Sequence, residues 1–343
     1  MFRITVASGA ILLHFAFASI SSAQATAPAE AEIRAAVNKA LPLLAKGAAG
    51  SMKERPNCFT CHNQGMPLLA LTTARMRGFA IDESQLNDQL RHTADYLDDH
   101  HEDFLAGKGT GGQVATAGSA LWALETGARK PDEITAAVTG YLLKYQKNLG
   151  HWKMTSDRPP TESSHFTANF LAIRGLKAFA TADQREAAEA RIAQARDWLV
   201  RTPANETEDR VFRLWTMKIA GVDAAEIRKA ASELLATQRE DGGWAQKDGM
   251  TSDAYATGSA LVALVESGAA KPADEAYVRG VRYLLKTQRP DGSWYVKSRS
   301  KPFQTYYESG FPHGKDQYVS IAASSWAVAA LAMACDDASG PSK

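Results

Sequence analysis

The chain has 343 residues, enough for one large domain or two ordinary ones, so length alone leaves the domain count open. Its 39 Lys plus Arg nearly balance 38 Asp plus Glu, which leaves no excess positive field to recruit a polyanion and excludes nucleic acid as an expected partner. With 45% hydrophobic and 22% charged residues the composition is that of a folded globular protein, with ample material for a core.

The N-terminus carries Arg3, a mostly apolar run from Ile4 to Ile20, and then Ser21-Ser22-Ala23, small residues where a signal peptidase reads. By its three-part form this pattern predicts a secretory signal peptide over 1–23, export to the periplasm, and an oxidising surrounding for the cysteines. An uncleaved anchor is the alternative reading. No later stretch reaches the ~20 apolar residues that a membrane span needs.

From there the chain reads as helix pairs, over 31–80, 84–128, 132–180, 183–221, 224–269 and 273–334, each with a more charged first helix and a more apolar second one. The pattern Gln-x-x-x-Gly-x-Trp closes a helix-like stretch three times, at Gln146 to Trp152, Gln238 to Trp244 and Gln288 to Trp294. A glycine followed by an aromatic suits a sharp stop with a ring plugged back between neighbouring helices. Gly118-Ser-Ala-Leu-Trp-Ala-Leu124 recurs as Gly258-Ser-Ala-Leu-Val-Ala-Leu264, and more loosely as Ser324-Ser-Trp-Ala-Val-Ala-Ala-Leu331. Small residues on nearly every face predict interior helices packed all round. Six pairs with polar first and small, apolar second helices favour closure into a ring over an open solenoid.

The Gln-x-x-x-Gly-x-Trp signature resembles the QW motifs of squalene cyclases, and on it the chain resembles the terpene cyclase and protein prenyltransferase superfamily. That resemblance implies an all-α fold, an (α/α)6 toroid forming a single domain over 24–343. It says less about function, since one fold hosts many chemistries.

In such a ring the loops into the second helices meet at one rim. Going round, the rim presents Cys58-Phe-Thr-Cys61-His62, Gly111-Gly-Gln113, Glu162-Ser-Ser-His165-Phe166, Glu206-Thr-Glu-Asp209, Thr251-Ser-Asp253-Ala-Tyr255 and His313-Gly-Lys-Asp316-Gln-Tyr318. Glu162, Asp209, Asp253 and Asp316 are the candidate catalytic acids. The plain alternative is that acids at helix starts cap free N–H groups and favour the positive end of the helix dipole. Phe166, Tyr255 and Tyr318 are expected to line the cavity, where π faces attract cations.

Cys58-x-x-Cys61-His62 has the spacing of c-type haem attachment: two thiols for two vinyl groups and an imidazole for the iron. The export signal agrees with it. His165 and His313, opening second helices of other repeats, are the candidate ligands for the other face of the iron. A Cys58–Cys61 disulfide or redox pair, and a zinc site from Cys58, Cys61, His62 and a rim carboxylate, are the alternatives. The toroid also resembles complement-type thioester domains, and Cys61-His62-Asn63-Gln64 keeps their Cys and Gln spacing but not the residues between.

Two departures bear on activity. The Asp-x-Asp-Asp acid of class II cyclases has no match, and the chain is about half the length of a two-barrel triterpene cyclase. The expectation is therefore an exported haem c protein acting in oxidation or electron transfer on an apolar or aromatic small molecule, with a redox partner. The alternatives are a haem-free lyase or isomerase with a rim Asp as acid, and a non-catalytic binding module.

Overall fold

The computed structural model describes residues 27–302 and 305–336; the expected signal peptide over 1–23 lies outside the described residues. The α-helices among them are α1 (Glu30–Glu54), α2 (Met66–Met76), α3 (Glu83–Asp99), α4 (His101–Leu105), α5 (Val114–Thr126), α6 (Glu133–Lys144) and α7 (His165–Phe179). They continue with α8 (Arg185–Arg201), α9 (Thr207–Ala220), α10 (Ala224–Leu235), α11 (Ala254–Glu266), α12 (Glu275–Thr287) and α13 (Gln317–Met333). Among the described residues β structure is limited to isolated bridges.

Helices α2, α5, α7, α9, α11 and α13 form an inner ring: each packs on the next, and α13 returns to α2. Each is preceded in the chain by an outer helix, α1, α3, α6, α8, α10 or α12, with α4 a short insert packed on α6. The protein is thus the all-α toroid of six helix pairs that the repeats lead one to expect.

Residue pattern explains which helix goes where. In α12 the buried residues Tyr277, Gly280, Val281 and Leu284 recur at i, i+3, i+4 and i+7, a single apolar stripe with the rest facing water. In α11 every residue from Ala254 to Leu264 is buried, as an inner helix requires. A Cβ at Gly258 would stand 2.7 Å from the Trp326 carbonyl carbon, so the bare Cα lets α11 and α13 approach closely.

The Gln-x-x-x-Gly-x-Trp motifs lock each stop. Trp152, Trp244 and Trp294 are fully buried, and their indole N–H groups donate to the carbonyls of Leu142, Leu234 and Leu284 at 3.0, 3.0 and 2.8 Å. These acceptors lie near helix C-termini, where carbonyls lack partners within the helix. Gln238 and Gln288 donate to the Ala276 and Ala36 carbonyls at 2.7 and 2.8 Å, and the second bond ties the sixth pair to the first. Gly242 and Gly292 sit at φ 86° and 95°, and a Cβ there would meet the Arg279 and Lys39 carbonyl oxygens at 2.6 Å. Gln146 departs from the pattern by folding back onto Lys153.

Neighbouring inner helices touch at their starts, which brings those starts to one mouth: Ser164 donates to Asp209, Tyr255 to Glu208, and the His62 and Tyr318 rings meet edge to face. Below the mouth the ring is filled. Trp122 packs on Phe170, Trp215 and Trp326 with ring centroids 5.0, 5.8 and 6.3 Å apart. Arg174, held by Glu125, lies 5.5 Å from the Trp122 and Trp215 rings. The described residues between Trp294 and α13 lie over the mouth as a strap. Its Arg299 makes a two-toothed ion pair with Glu206, at 2.9 Å, and donates to Gln246.

Candidate active site

Cys61 opens a wide π-type turn, Cys61–Gly65, that leads into α2. Extra backbone in such a turn re-aims side chains, and here it buries His62, Asn63 and Gln64. Gln64 Oε1 accepts from Thr60, and Asn63 donates to Tyr307 of the strap at 2.9 Å. The turn is thus pinned on both sides, and Cys61 and His62 are presented to the mouth.

Opposite stands Glu162, from the loop before α7. Its Oε1 accepts from Cys61 Sγ at 3.2 Å, and its Oε2 pairs with Arg158 and accepts from Ser156 Oγ at 3.3 Å. Cys61 Sγ lies 4.0 Å from His62 Nδ1. One ligand atom from each of Cys61, His62 and Glu162 falls within 4.8 Å of the other two. Burial and the adjacent Glu162 carboxylate push the Cys61 thiol well up, while burial and the charges of Arg158 and Arg55 hold the His62 imidazole down at about 3.

Two spaces open at this cluster. A pocket of about 390 Å3 lies between His62, Glu162 and the strap, with Arg158, Lys301, Asp316 and Tyr318 among its walls. A narrow recess of about 40 Å3 runs inward from Cys61 and His62 between Trp122, Phe212, Tyr255 and Trp326. Among the walls of the recess is Glu208, which is 5% exposed and accepts from Thr167 Oγ1 at 2.9 Å and Tyr255 Oη at 3.1 Å. Burial pushes its carboxyl up to about 8 against those two donors, with help from the Asp209 and Glu206 charges. At neutral pH Glu208 is mostly a neutral acid facing an enclosed aromatic wall.

The residues singled out in the sequence divide into two groups. Cys61, His62, Glu162, Tyr255, Tyr318 and Asp316 meet at the two spaces; Asp316 accepts from Tyr295 Oη at 2.9 Å and the Ser298 N–H at 2.8 Å. The others are engaged elsewhere. Asp209 accepts from the Asn205 and Glu206 N–H groups at 3.1 Å, closing the start of α9. Asp253 caps α11 through the Ala256 N–H at 2.9 Å and accepts from Gln246; burial pushes it up to about 6. His165 Nδ1 accepts from the Met154 N–H, His313 bonds Ser293 Oγ at 2.7 Å, and Phe166 packs outward on Trp198. Cys58 Sγ faces the Phe59 carbonyl and Arg55, and it lines neither space.

Glu208 was not among the acids chosen from sequence. A signal was present: Glu208, Phe212 and Trp215 lie at i, i+4 and i+7, one face of α9, and that face lines the recess and the aromatic core.

Comparison with known proteins agrees with the architecture. Residues 211–337 match the model of the squalene-hopene cyclase C-terminal domain. Drimenyl diphosphate synthase of Streptomyces showdoensis is 25% identical over 197 residues, 57% of this chain and 28% of that protein. The squalene–hopene cyclase of Bradyrhizobium diazoefficiens is 32% identical over 136 residues, 34% of this chain and 19% of that protein. The chain therefore spans less than a third of the length of the curated relatives it matches. The type II terpene cyclase MstE from Scytonema, as an alanine variant with its product merosterolic acid A, superposes with a TM-score of 0.57 at 15% identity, covering 89% of this chain and 98% of that one. Its apo form gives a TM-score of 0.56 at 15% identity over 90% and 99%. The chain shares the terpene cyclase fold.

Proposed function

We propose that this chain is a haem-free acid–base catalyst, a lyase or isomerase of the terpene cyclase type, which protonates a small apolar molecule at the toroid mouth with Glu208 as the acid. The observation that carries this reading is a buried carboxyl, held by Thr167 and Tyr255 and pushed up to about 8, that lines a recess together with Trp122, Phe212, Tyr255 and Trp326. Matching a donor to the working pH is what general acid catalysis needs. Likeness to a squalene-hopene cyclase domain and to terpene cyclases supports it over a redox role.

The steps use this chain's own groups. Glu208 gives its proton to one carbon of a double bond held in the recess, and the cation left on the other carbon faces aromatic π surfaces. The Glu208 carboxylate then removes a proton from the next carbon, which restores the acid and shifts the double bond. Tyr255, kept protonated by burial and by Glu208, holds the carboxyl in place throughout. The filled core leaves about 40 Å3 below the mouth, so the substrate is a short or flexible apolar molecule whose bulk stays in the outer pocket.

The test is deuterium incorporation from D2O into short isoprenoid olefins, read by mass spectrometry. Wild type should exchange, and Glu208→Gln should lose at least 100-fold of the rate while keeping its helical circular dichroism. Equal exchange by both proteins would end the reading.

Cys58-x-x-Cys61-His62 favours a second reading, in which the exported protein carries haem c and passes electrons to a redox partner. The residues as placed do not fit the group: thioethers need both thiols beside a space that His62 faces, and Cys58 lines neither the outer pocket nor the recess. An absorbance spectrum of protein exported from a host that matures haem c separates the readings, a sharp Soret band favouring the second and its absence the first.

A further inference from the structure

Resting on the haem-free reading, we infer that Cys61, His62 and Glu162 form a zinc site with an open position toward the outer pocket. The three donor types, thiolate, imidazole and carboxylate, are the ones zinc takes, and three protein ligands with a vacant fourth position is the arrangement of a catalytic rather than a structural ion.

Spacing supports it. Tetrahedral zinc with the usual bond lengths sets its ligand atoms roughly 3.5 Å apart. Cys61 Sγ stands 3.2 Å from Glu162 Oε1 and 4.0 Å from His62 Nδ1, on either side of that value. Adjacent residues rarely aim side chains at one point in a regular helix, where successive residues diverge by about 100°. The π-type turn at Cys61–Gly65 relaxes that constraint.

Surroundings fit as well. Glu162 is held by Arg158 and Ser156 through its other oxygen, so a ligand oxygen is already oriented from behind. His62 is fixed by the edge of Tyr318, with ring centroids 5.2 Å apart. Cys58 turns away to the Phe59 carbonyl, which makes the set one cysteine, one histidine and one carboxylate rather than the pair of thiols that the C-x-x-C spacing suggests. On binding, the Cys61 S–H proton passes to solvent and the sulfur bonds the ion, with no change of oxidation state. Both His62 and Glu162 line the outer pocket and the recess alike, so the ion's open side would polarise an oxygen of a substrate whose hydrocarbon part reaches Glu208.

The full-length chain is exported in a haem c-competent host supplied with zinc, purified, and read by elemental analysis and absorbance together. About one zinc per chain with no Soret band is the expected result. Cobalt(II) exchanged into the emptied protein should give a thiolate charge-transfer band that Cys58→Ser keeps and Cys61→Ser loses. Glu162→Gln should weaken zinc binding at least tenfold in a chelator competition. Far-ultraviolet circular dichroism checks each variant's fold, and Cys58→Ser keeps the test informative if Cys61→Ser fails to fold. No zinc, no cobalt band and no Soret band overturns the zinc site while leaving the acid–base reading standing. A Soret band overturns both. A cobalt band lost in Cys58→Ser overturns the ligand set.

Discussion

Glu208 differs from the other acids of the mouth in what surrounds it. Asp209 and Asp253 meet backbone N–H groups at helix starts, whereas Glu208 meets two side-chain hydroxyls and aromatic walls. Its folded value, about 8, lies above the ordinary 4.5, so its effect on stability is harmless below pH 4.5 and becomes adverse as the pH rises toward 8. Glu208→Gln should therefore change stability little at pH 4.5 and raise it increasingly up to about pH 8, by an upper bound of roughly 5 kcal/mol, read as a growing gap in melting temperature. A melting-temperature gap independent of pH would contradict the buried neutral acid. Asp253→Ala, by contrast, should cost about 1 kcal/mol of cap energy and leave proton exchange intact, which a parallel melt and exchange assay would measure. Composition of the rim was legible in the sequence. Which acid escapes capping was not, because Glu206-Thr-Glu208-Asp209 looks like one capping run until the inward face through Phe212 and Trp215 is drawn.

At the scale of elements, the stops after the outer helices are the parts most readable from sequence. A buried tryptophan and a glycine at positive φ have few substitutes, so they leave a repeating mark. The structure adds a ranking among them. Gly150 sits at φ 71° with open space around its missing Cβ, while Gly292 sits at φ 95° against the Lys39 carbonyl. Gly150→Ala should cost the left-handed strain alone, about 1–2 kcal/mol. Gly292→Ala must also move α1, and its urea midpoint should fall at least twice as far. Equal midpoints would mean that the contact between the sixth pair and the first is not a support of the ring. The strap was not legible: Tyr307 meets Asn63 across 244 residues and Arg299 meets Glu206 across 93, and no local period announces such bonds.

Across the whole molecule, the closed ring explains why residues as far apart in sequence as Cys61, Glu162, Glu208 and Tyr318 share one mouth. Closure could be inferred from six pairs of like character, and the fold was legible to that extent. How much space remained inside could not, because it depends on how Trp122, Phe170, Trp215 and Trp326 interlock. Trp326→Ala should cost roughly 3–5 kcal/mol and open the core, so the variant should gain binding of longer apolar chains that wild type refuses, as read by fluorescent fatty-acid titration. Burial keeps one carboxylic acid of the mouth neutral at working pH. Carbon-13 NMR titration of glutamate-labelled protein, with Glu208→Gln to assign the signal, should show one carboxyl ionising near pH 8, whereas ionisation of Glu208 near pH 4.5 would leave the mouth without its neutral acid and end the proposed chemistry.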